Sequence, residues 1–349
     1  MSTDFSTLIG LVEHYSPSGQ EHGAVEWLVE RMQAMSFDKA FIDGAGNAVG
    51  VMGSGPKQVV LLGHIDTVPG EIPVRTEDSI LYGRGSVDAK GPLACFVDAV
   101  AQTGTLDGWQ FVVIGAVDEE RDSLGARFVM DKYKPDFAII GEPNNWDRVA
   151  LGYKGSAWAQ VTIKREQSHS ASGEQTAAEA AVETWQAVKA YADEFNTDKK
   201  RAFDMLLPTL RGLESSQDEF EQWTRMNIGC RLPVGVNPDA WYVQLEEIAQ
   251  GADVEQIGYP IQAWECQKNS SLVRAFLNGI RSQGGTPRFV YKTGTADLNV
   301  VAPVWDCPAI VYGPGDSSLD HTPDENLSLG EYKKAVEVLV GALKKLTNT

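Results

Sequence analysis

Two histidines and a set of carboxylates stand where apolar runs of this chain stop. The run Gln58-Val-Val-Leu-Leu-Gly-His-Ile-Asp-Thr-Val68 sets His64 and Asp66 two positions apart. Phe111–Val117 leads into Asp118-Glu119-Glu120, Phe137–Ile140 into Gly141-Glu142-Pro143, and Ala309–Tyr312 into a Gly/Pro loop that reaches His321. Asp88 lies in the glycine-rich stretch Leu81-Tyr-Gly-Arg-Gly-Ser-Val-Asp-Ala-Lys-Gly91. Imidazole mixed with carboxylate is a donor set for zinc or a similar divalent ion. His64, Asp88, Glu120, Glu142 and His321 are too many donors for one tetrahedral zinc. They suit two ions roughly 3.5–4 Å apart that share a carboxylate. Asp88, alone on its loop, is the expected bridge, and Asp66 is expected to fix the His64 tautomer. Glu119 and Glu120 are neighbours on an extended backbone and cannot point the same way, so one can bind metal while the other serves as a base. Taken singly, each of these motifs reads more simply as a polar turn; together, at the ends of apolar runs, they read as one site.

The elements that must position these residues are strands of a parallel sheet. Val59–Leu62 has no polar alternation and reads as a strand buried on both faces, with His64 and Asp66 just past its carboxyl end, where ligands of open α/β sheets bind. Helices are predicted from Thr7 to Tyr15, after a capping box at Ser18-x-x-Glu21, from Pro92 to about Gln102, and from about Ser123 to Lys132. Ala40–Asp43 and Ala48–Val51 flank a hairpin turn. Near Tyr153 the pattern changes to the alternation of a half-exposed antiparallel strand, Trp158–Lys164, followed by a long helix from about Glu174 to Phe195, a strand at Met226–Arg231 and a helix opened by Asn237-Pro238. The expected fold is α/β. Residues 1–154 and 266–349 form a catalytic domain with a mostly parallel sheet and helices on both faces, and residues 155–265 are a smaller inserted α/β sandwich. The closing part carries predicted helices at Ser270–Gln283 and Leu329–Leu346 and a strand at Phe289–Tyr291.

A net charge of −18 argues against nucleic acid and anionic membrane as partners. Met1-Ser-Thr-Asp-Phe has no basic region ahead of an apolar core, and no apolar run approaches the ~18 residues needed to span a bilayer, so a cytoplasmic protein is expected. The cysteines, Cys95, Cys230, Cys266 and Cys307, form no CxxC pair and read as reduced thiols. His14 and His22, in the amino-terminal helical region, read as packing or surface residues, whereas His169 lies in a loop, Ser168-His-Ser-Ala-Ser172.

Gly63–Val68, Gly83–Gly91, Asp118-Glu-Glu120, Gly141-Glu-Pro143 and Asp320-His-Thr-Pro323 together resemble the co-catalytic zinc aminoacylase and carboxypeptidase family, which includes acetylornithine deacetylase and succinyl-diaminopimelate desuccinylase. The similarity runs over nearly the whole chain in the same order. It implies two divalent ions per subunit, Zn²⁺ or alternatively Co²⁺, and a dimer formed through the inserted domain. It further implies that His64 and Glu142 bind one ion, Glu120 and His321 the other, and Asp88 both, with Glu119 as general base and Asp66 orienting His64. By the same resemblance His169 polarises the scissile carbonyl in the partner's site, Arg231 holds a substrate carboxylate, and Gly294-Thr295 does so through its backbone. Lys292–Asn299 with Gly313–Glu325 is most similar to the branch that releases lysine, or ornithine, from an α-amino group blocked by a carrier protein's terminal glutamate or by acetyl. The alternatives are an acetylornithine deacetylase, a general aminoacylase or dipeptidase, or an inactive binding protein with the same fold. The Asn-Ile-Pro stretch that desuccinylases carry before the arginine strand is absent.

Overall fold

A computed structural model describes residues 4–347. Residues 1–3, part of the amino-terminal stretch read above, and residues 348–349 lie outside the described residues. The chain divides into two compact units: Met1–Gly152 with Cys266–Tyr291 and Ala296–Thr349, and Tyr153–Glu265 with Lys292–Thr295. Lys292–Thr295, expected with the closing segment, therefore group with the second unit.

The chain opens with α1 (Ser6–Glu13), α2 (His22–Ala34), β1 (Lys39–Ile42), β2 (Ala48–Gly53), β3 (Lys57–His64), β4 (Arg75–Glu77), β5 (Ile80–Tyr82), α3 (Lys90–Thr103), β6 (Trp109–Ala116), α4 (Leu124–Val129), β7 (Phe137–Gly141) and β8 (Arg148–Tyr153). The segment that follows holds β9 (Gly155–Glu166), α5 (Ala177–Phe195), β10 (Leu207–Gln217), β11 (Glu221–Leu232), α6 (Pro238–Ile248), β12 (Asp253–Ile261) and β13 (Trp264–Glu265). The rest comprises α7 (Ser271–Ser282), β14 (Arg288–Lys292), α8 (Asp297–Trp305), β15 (Ala309–Val311), β16 (Asn326–Ser328) and α9 (Leu329–Thr347).

In the first unit the main sheet runs β1-β2-β6-β3-β7-β15-β8. Its centre is parallel: Val59 lies beside Phe111 on one side and Phe137 on the other, and Ala309 beside Ala138. Val59, Val60, Leu61 and Leu62 are all 0% exposed, which is why their run shows no polar alternation. Antiparallel pairs flank this centre, from the β1–β2 hairpin through β2–β6 to β15–β8. Helix α3 packs on β3, β6 and β7 and joins α1 and α9, while α4 and α8 pack on β6 and β7 and on each other. Glycine lets α3 sit this close, since a Cβ on Gly141 would come within 2.9 Å of the Phe96 ring. A second small sheet, β16-β5-β4, joins the chain ahead of Asp88 to the chain after His321.

The second unit is a four-stranded antiparallel sheet ordered β10-β11-β9-β12. Alternate residues of β9 (Ala157, Ala159, Val161, Ile163) and β11 (Met226, Ile228, Cys230, Leu232) share a core with Ala181 and Val188 of α5 and Trp241 and Leu245 of α6. Thr176 and Glu179 cap α5 reciprocally, and Asn237 caps α6 ahead of Pro238. Among the described residues no helix is long and apolar enough to cross a membrane. All four cysteines are free thiols, three of them buried.

Several expectations are corrected. Ser18 does not cap α2, which starts at His22 with no side-chain cap. The Ser18 hydroxyl instead donates to Asp66 Oδ2 at 2.7 Å, because a buried carboxylate outcompetes a helix-end amide for it. His64 is the last residue of its strand rather than a residue beyond it. Strands β10 and β12 and helix α8 are additional elements: β10 is a largely exposed edge strand holding Pro208 and Gly212, and α8 contains Pro303.

Candidate metal centre

Because β3, β6, β7 and β15 run parallel, their carboxyl ends deliver His64, the 118–120 loop, Glu142 and the loop to His321 to one edge of the sheet. His64 Nε2 lies 3.2 Å from Asp88 Oδ1, and His321 Nε2 lies 3.1 Å from both Asp88 Oδ2 and Glu120 Oε1. Asp88 thus presents one oxygen to each histidine, the disposition of a carboxylate that bridges. Ligand atoms of His64, Asp88 and Glu120 all lie within 4.8 Å of one another. Glu142 makes none of these direct contacts; it is buried beside them and feels the charges of His64 and Asp88.

Asp66 organises the base of the site. Its backbone carbonyl lies 2.9 Å from His64 Nδ1, which leaves Nε2 to face Asp88. Its carboxylate, 0% exposed, accepts the main-chain N–H groups of Glu119 through Oδ1 and Glu120 through Oδ2, both at 3.1 Å. Asn47 supports the same loop: its Oδ1 accepts the Val117 N–H at 3.0 Å and its Nδ2 donates to the Gly125 carbonyl.

The electrostatics are those of a site short of positive charge. Burial opposes a charge on His64, but the Asp66 and Asp88 carboxylates outweigh it and push the imidazole well above its usual range. Hydrogen bonds to Asp88 and Glu120 push His321 up to about 10. Burial would raise Asp88, yet its bonds to His321 and His64 hold it well below the usual carboxylate range. Glu119 is raised well above its ordinary value by burial first, and by the charges of Glu142, Asp297 and Glu120. Burial likewise raises Glu142 and takes Asp297 to about 6. Every raised group would gather protons to offset the carboxylates around it, and divalent cations supply the same charge to donors already facing each other. The residues present therefore fit a divalent-metal centre.

Several contributors lie within the motifs quoted above but were not singled out there as site residues. Arg84 and Glu325 form a buried ion pair of 2.9 Å behind Asp88. Lys90, 0% exposed, donates to the His14 carbonyl at 2.6 Å, and burial lowers its ammonium to about 7. Asp297 is 2% exposed, and among the described residues neither of its oxygens has a full hydrogen-bond partner, although Ser123 lies close enough to favour its charge. His14 packs on the Trp27 ring and His22 pairs with Glu26 on the surface, both outside the site.

The remaining residues singled out from the sequence lie in the second unit. His169 sits on the exposed loop between β9 and α5, its Nδ1 accepting the Ala171 N–H at 3.1 Å. Arg231 on β11 donates from Nη1 to the Thr295 hydroxyl at 3.2 Å. Gly294 faces open space, with nothing near an added Cβ.

Residues 60–345 match Peptidase family M20/M25/M40. The chain is 46% identical to the LysW-lysine hydrolase of Deinococcus radiodurans over 95% of this chain and 93% of that one. It is 41% identical to a protein of Thermococcus kodakarensis provisionally assigned as a LysW-lysine/LysW-ornithine hydrolase, over 96% of this chain and 90% of that one. Its fold is shared with the crystal structure of Sso-CP2, an M20 family metallo-carboxypeptidase from Sulfolobus solfataricus, at a TM-score of 0.79 and 17% identity, covering 100% of both chains.

Proposed function

The chain belongs to peptidase family M20/M25/M40, and from that premise we propose that it is a two-metal amide hydrolase releasing lysine, or secondarily ornithine, from the γ-carboxyl of a carrier protein's terminal glutamate. The observation that carries the reading is the meeting of His64, Asp88, Glu120 and His321 in a chain 46% identical to a LysW-lysine hydrolase. His64 and Glu142 would hold one ion and Glu120 and His321 the other, with Asp88 shared between them. Zn²⁺ is the preferred ion and Co²⁺ the substitute. When bound, two such ions polarise the scissile carbonyl and make water a nucleophile near neutral pH. Glu119, whose backbone is fixed by Asp66, takes the proton of the attacking water and passes it to the leaving α-amine.

Arg231 is the anchor for the substrate carboxylate. Among the described residues no carboxylate pairs with it within salt-bridge distance, its one side-chain partner is the Thr295 hydroxyl, and the nearby charge of Arg211 adds to the pull on an anion. The backbone at Gly294-Thr295 shares that task. His169 acts on the carbonyl in the site of a second subunit, so the protein works as a homodimer through its inserted unit. It works in the cytoplasm.

Metal stripping tests the reading. Protein treated with a chelator is expected to release no lysine from the glutamyl-lysine carrier and to regain the activity with Zn²⁺ or Co²⁺. Full activity in chelated protein of verified metal content below a tenth of an equivalent contradicts it.

A further inference from the structure

Arg84 and Glu325 are 241 positions apart and neither is a metal donor, yet their ion pair lies directly behind two of the donors. Arg84 is 6% exposed and Glu325 0%. Glu325 Oε2 accepts from Arg84 Nη1 at 2.9 Å, while Oε1 accepts the main-chain N–H groups of Val87 at 2.9 Å and Asp88 at 3.0 Å. The same Arg84 Nη1 donates to the carbonyl of Thr322, next to His321, at 3.0 Å, and Nε donates to the Gly70 carbonyl at 2.9 Å. One buried pair therefore grips the backbone at Asp88 and the backbone beside His321.

The surrounding topology fits that task. The Asp88 loop leaves β5 and the His321 loop enters β16, and those strands pair through Tyr82 with Asn326 and Leu81 with Leu327. Their junction is closed by the Gly83 N–H on the Glu325 carbonyl at 3.4 Å. His321 has φ 61°, a left-handed conformation that a residue with a Cβ holds only when its surroundings enforce it. A buried ion pair gains little stability over an apolar pair of the same size, so its value here is positional.

We propose that the Arg84–Glu325 pair is the positioning element that sets Asp88 and His321 in register before any ion binds, leaving the donor set preformed in the metal-free protein. The proposal rests on the metal-dependent reading above. Outer residues of this kind are worth 10–100-fold in metal affinity.

Two variants probe it. Glu325→Gln keeps an oxygen for the Val87 and Asp88 N–H groups but turns an amide NH₂ toward Arg84. The double variant Arg84→Met/Glu325→Gln removes both charges and guards against a single change that fails to fold by stranding one. Amide hydrogen exchange is followed in residues 83–90 and 318–325 of the full chain with and without Co²⁺, and Co²⁺ affinity is measured by titration of chelated protein. Wild-type protein is expected to protect both segments almost equally in the two states. The variants are expected to lose that protection without Co²⁺, to recover it with Co²⁺, and to bind Co²⁺ at least tenfold more weakly, with exchange in β9 and β11 unchanged. Wild-type protection in the metal-free variants, with affinity within twofold, overturns the proposal. If the wild-type protein takes up no Co²⁺, the metal-dependent reading fails, and the metal-free exchange still decides the positioning role.

Discussion

Asp66 Oδ1 accepts the main-chain N–H of Glu119 at 3.1 Å, so the residue that faces the His64 ring also fixes the backbone of the proposed base. Asp66→Asn can keep one of the two N–H groups it now accepts and must turn an NH₂ toward the other. That strands a buried donor at a cost of about 1–3 kcal/mol, taken from the geometry of Glu119 and Glu120 rather than from the core. The expected result is a 10–100-fold loss in kcat, with a far-UV spectrum like wild type. Unchanged kcat at saturating metal would remove Asp66 from the positioning role.

Glu119→Gln is expected to bind metal and substrate normally and to lose about 10²–10⁴ in kcat, the usual worth of a positioned base. It also supplies one half of a complementation test for His169. Mixing Glu119→Gln subunits with His169→Ala subunits should restore one intact site per heterodimer. Activity no higher than either parent, once subunit exchange has been demonstrated, places His169 outside the partner's site.

Burial makes Asp98 a source of pH-dependent stability far from the site. It is 3% exposed, accepts the Tyr332 hydroxyl at 2.7 Å, and has its carboxyl pushed up from 3.8 to about 6. An acid raised on folding contributes stability that is complete below the unfolded pKa and lost as pH rises through the folded one, here between about 4 and about 6. The loss is on the order of 2–3 kcal/mol above that window. Asp98→Asn, which cannot ionise, is therefore expected to unfold at higher denaturant than wild type at pH 8, with the advantage gone at pH 4. An equal difference at both pH values would assign the effect to packing.

The parallel centre of the sheet was legible because Val59–Leu62 and Phe111–Ala116 are apolar on both faces, and the meeting of His64, the 118–120 loop and Glu142 at one sheet edge was legible because they follow such runs. Glu325 was not. In Pro323-Asp-Glu-Asn326 it reads as one more solvated acid, and only the β5–β16 pairing, 241 positions across the chain at Arg84, shows it to be buried. Ser18 misled for a related reason, since Ser-x-x-Glu ahead of an apolar face is a helix-start pattern while the carboxylate that captures its hydroxyl lies 48 positions away. Strand β10 was hidden because it lies at the edge of its sheet and is exposed over most of its length, which leaves no apolar alternation to detect. Helix α8 was hidden by Pro303 and by the Gly-Thr loop just before it.

Charge frames the remaining choice of acyl partner. At a net −18 the chain would attract a cationic lysine side chain and repel a carrier that is itself acidic, so recognition of such a carrier would have to come from local contacts rather than from the overall field. The most direct measurement is kcat/KM for a γ-glutamyl-lysine carrier beside the corresponding ornithine conjugate, acetyl-lysine, acetyl-ornithine, acetyl-methionine and succinyl-diaminopimelate, all with metal supplied. The account predicts the lysine-bearing carrier first, its ornithine counterpart next, and the acetyl-methionine and diaminopimelate compounds at least tenfold behind. A preference for acetyl-methionine or succinyl-diaminopimelate would contradict it.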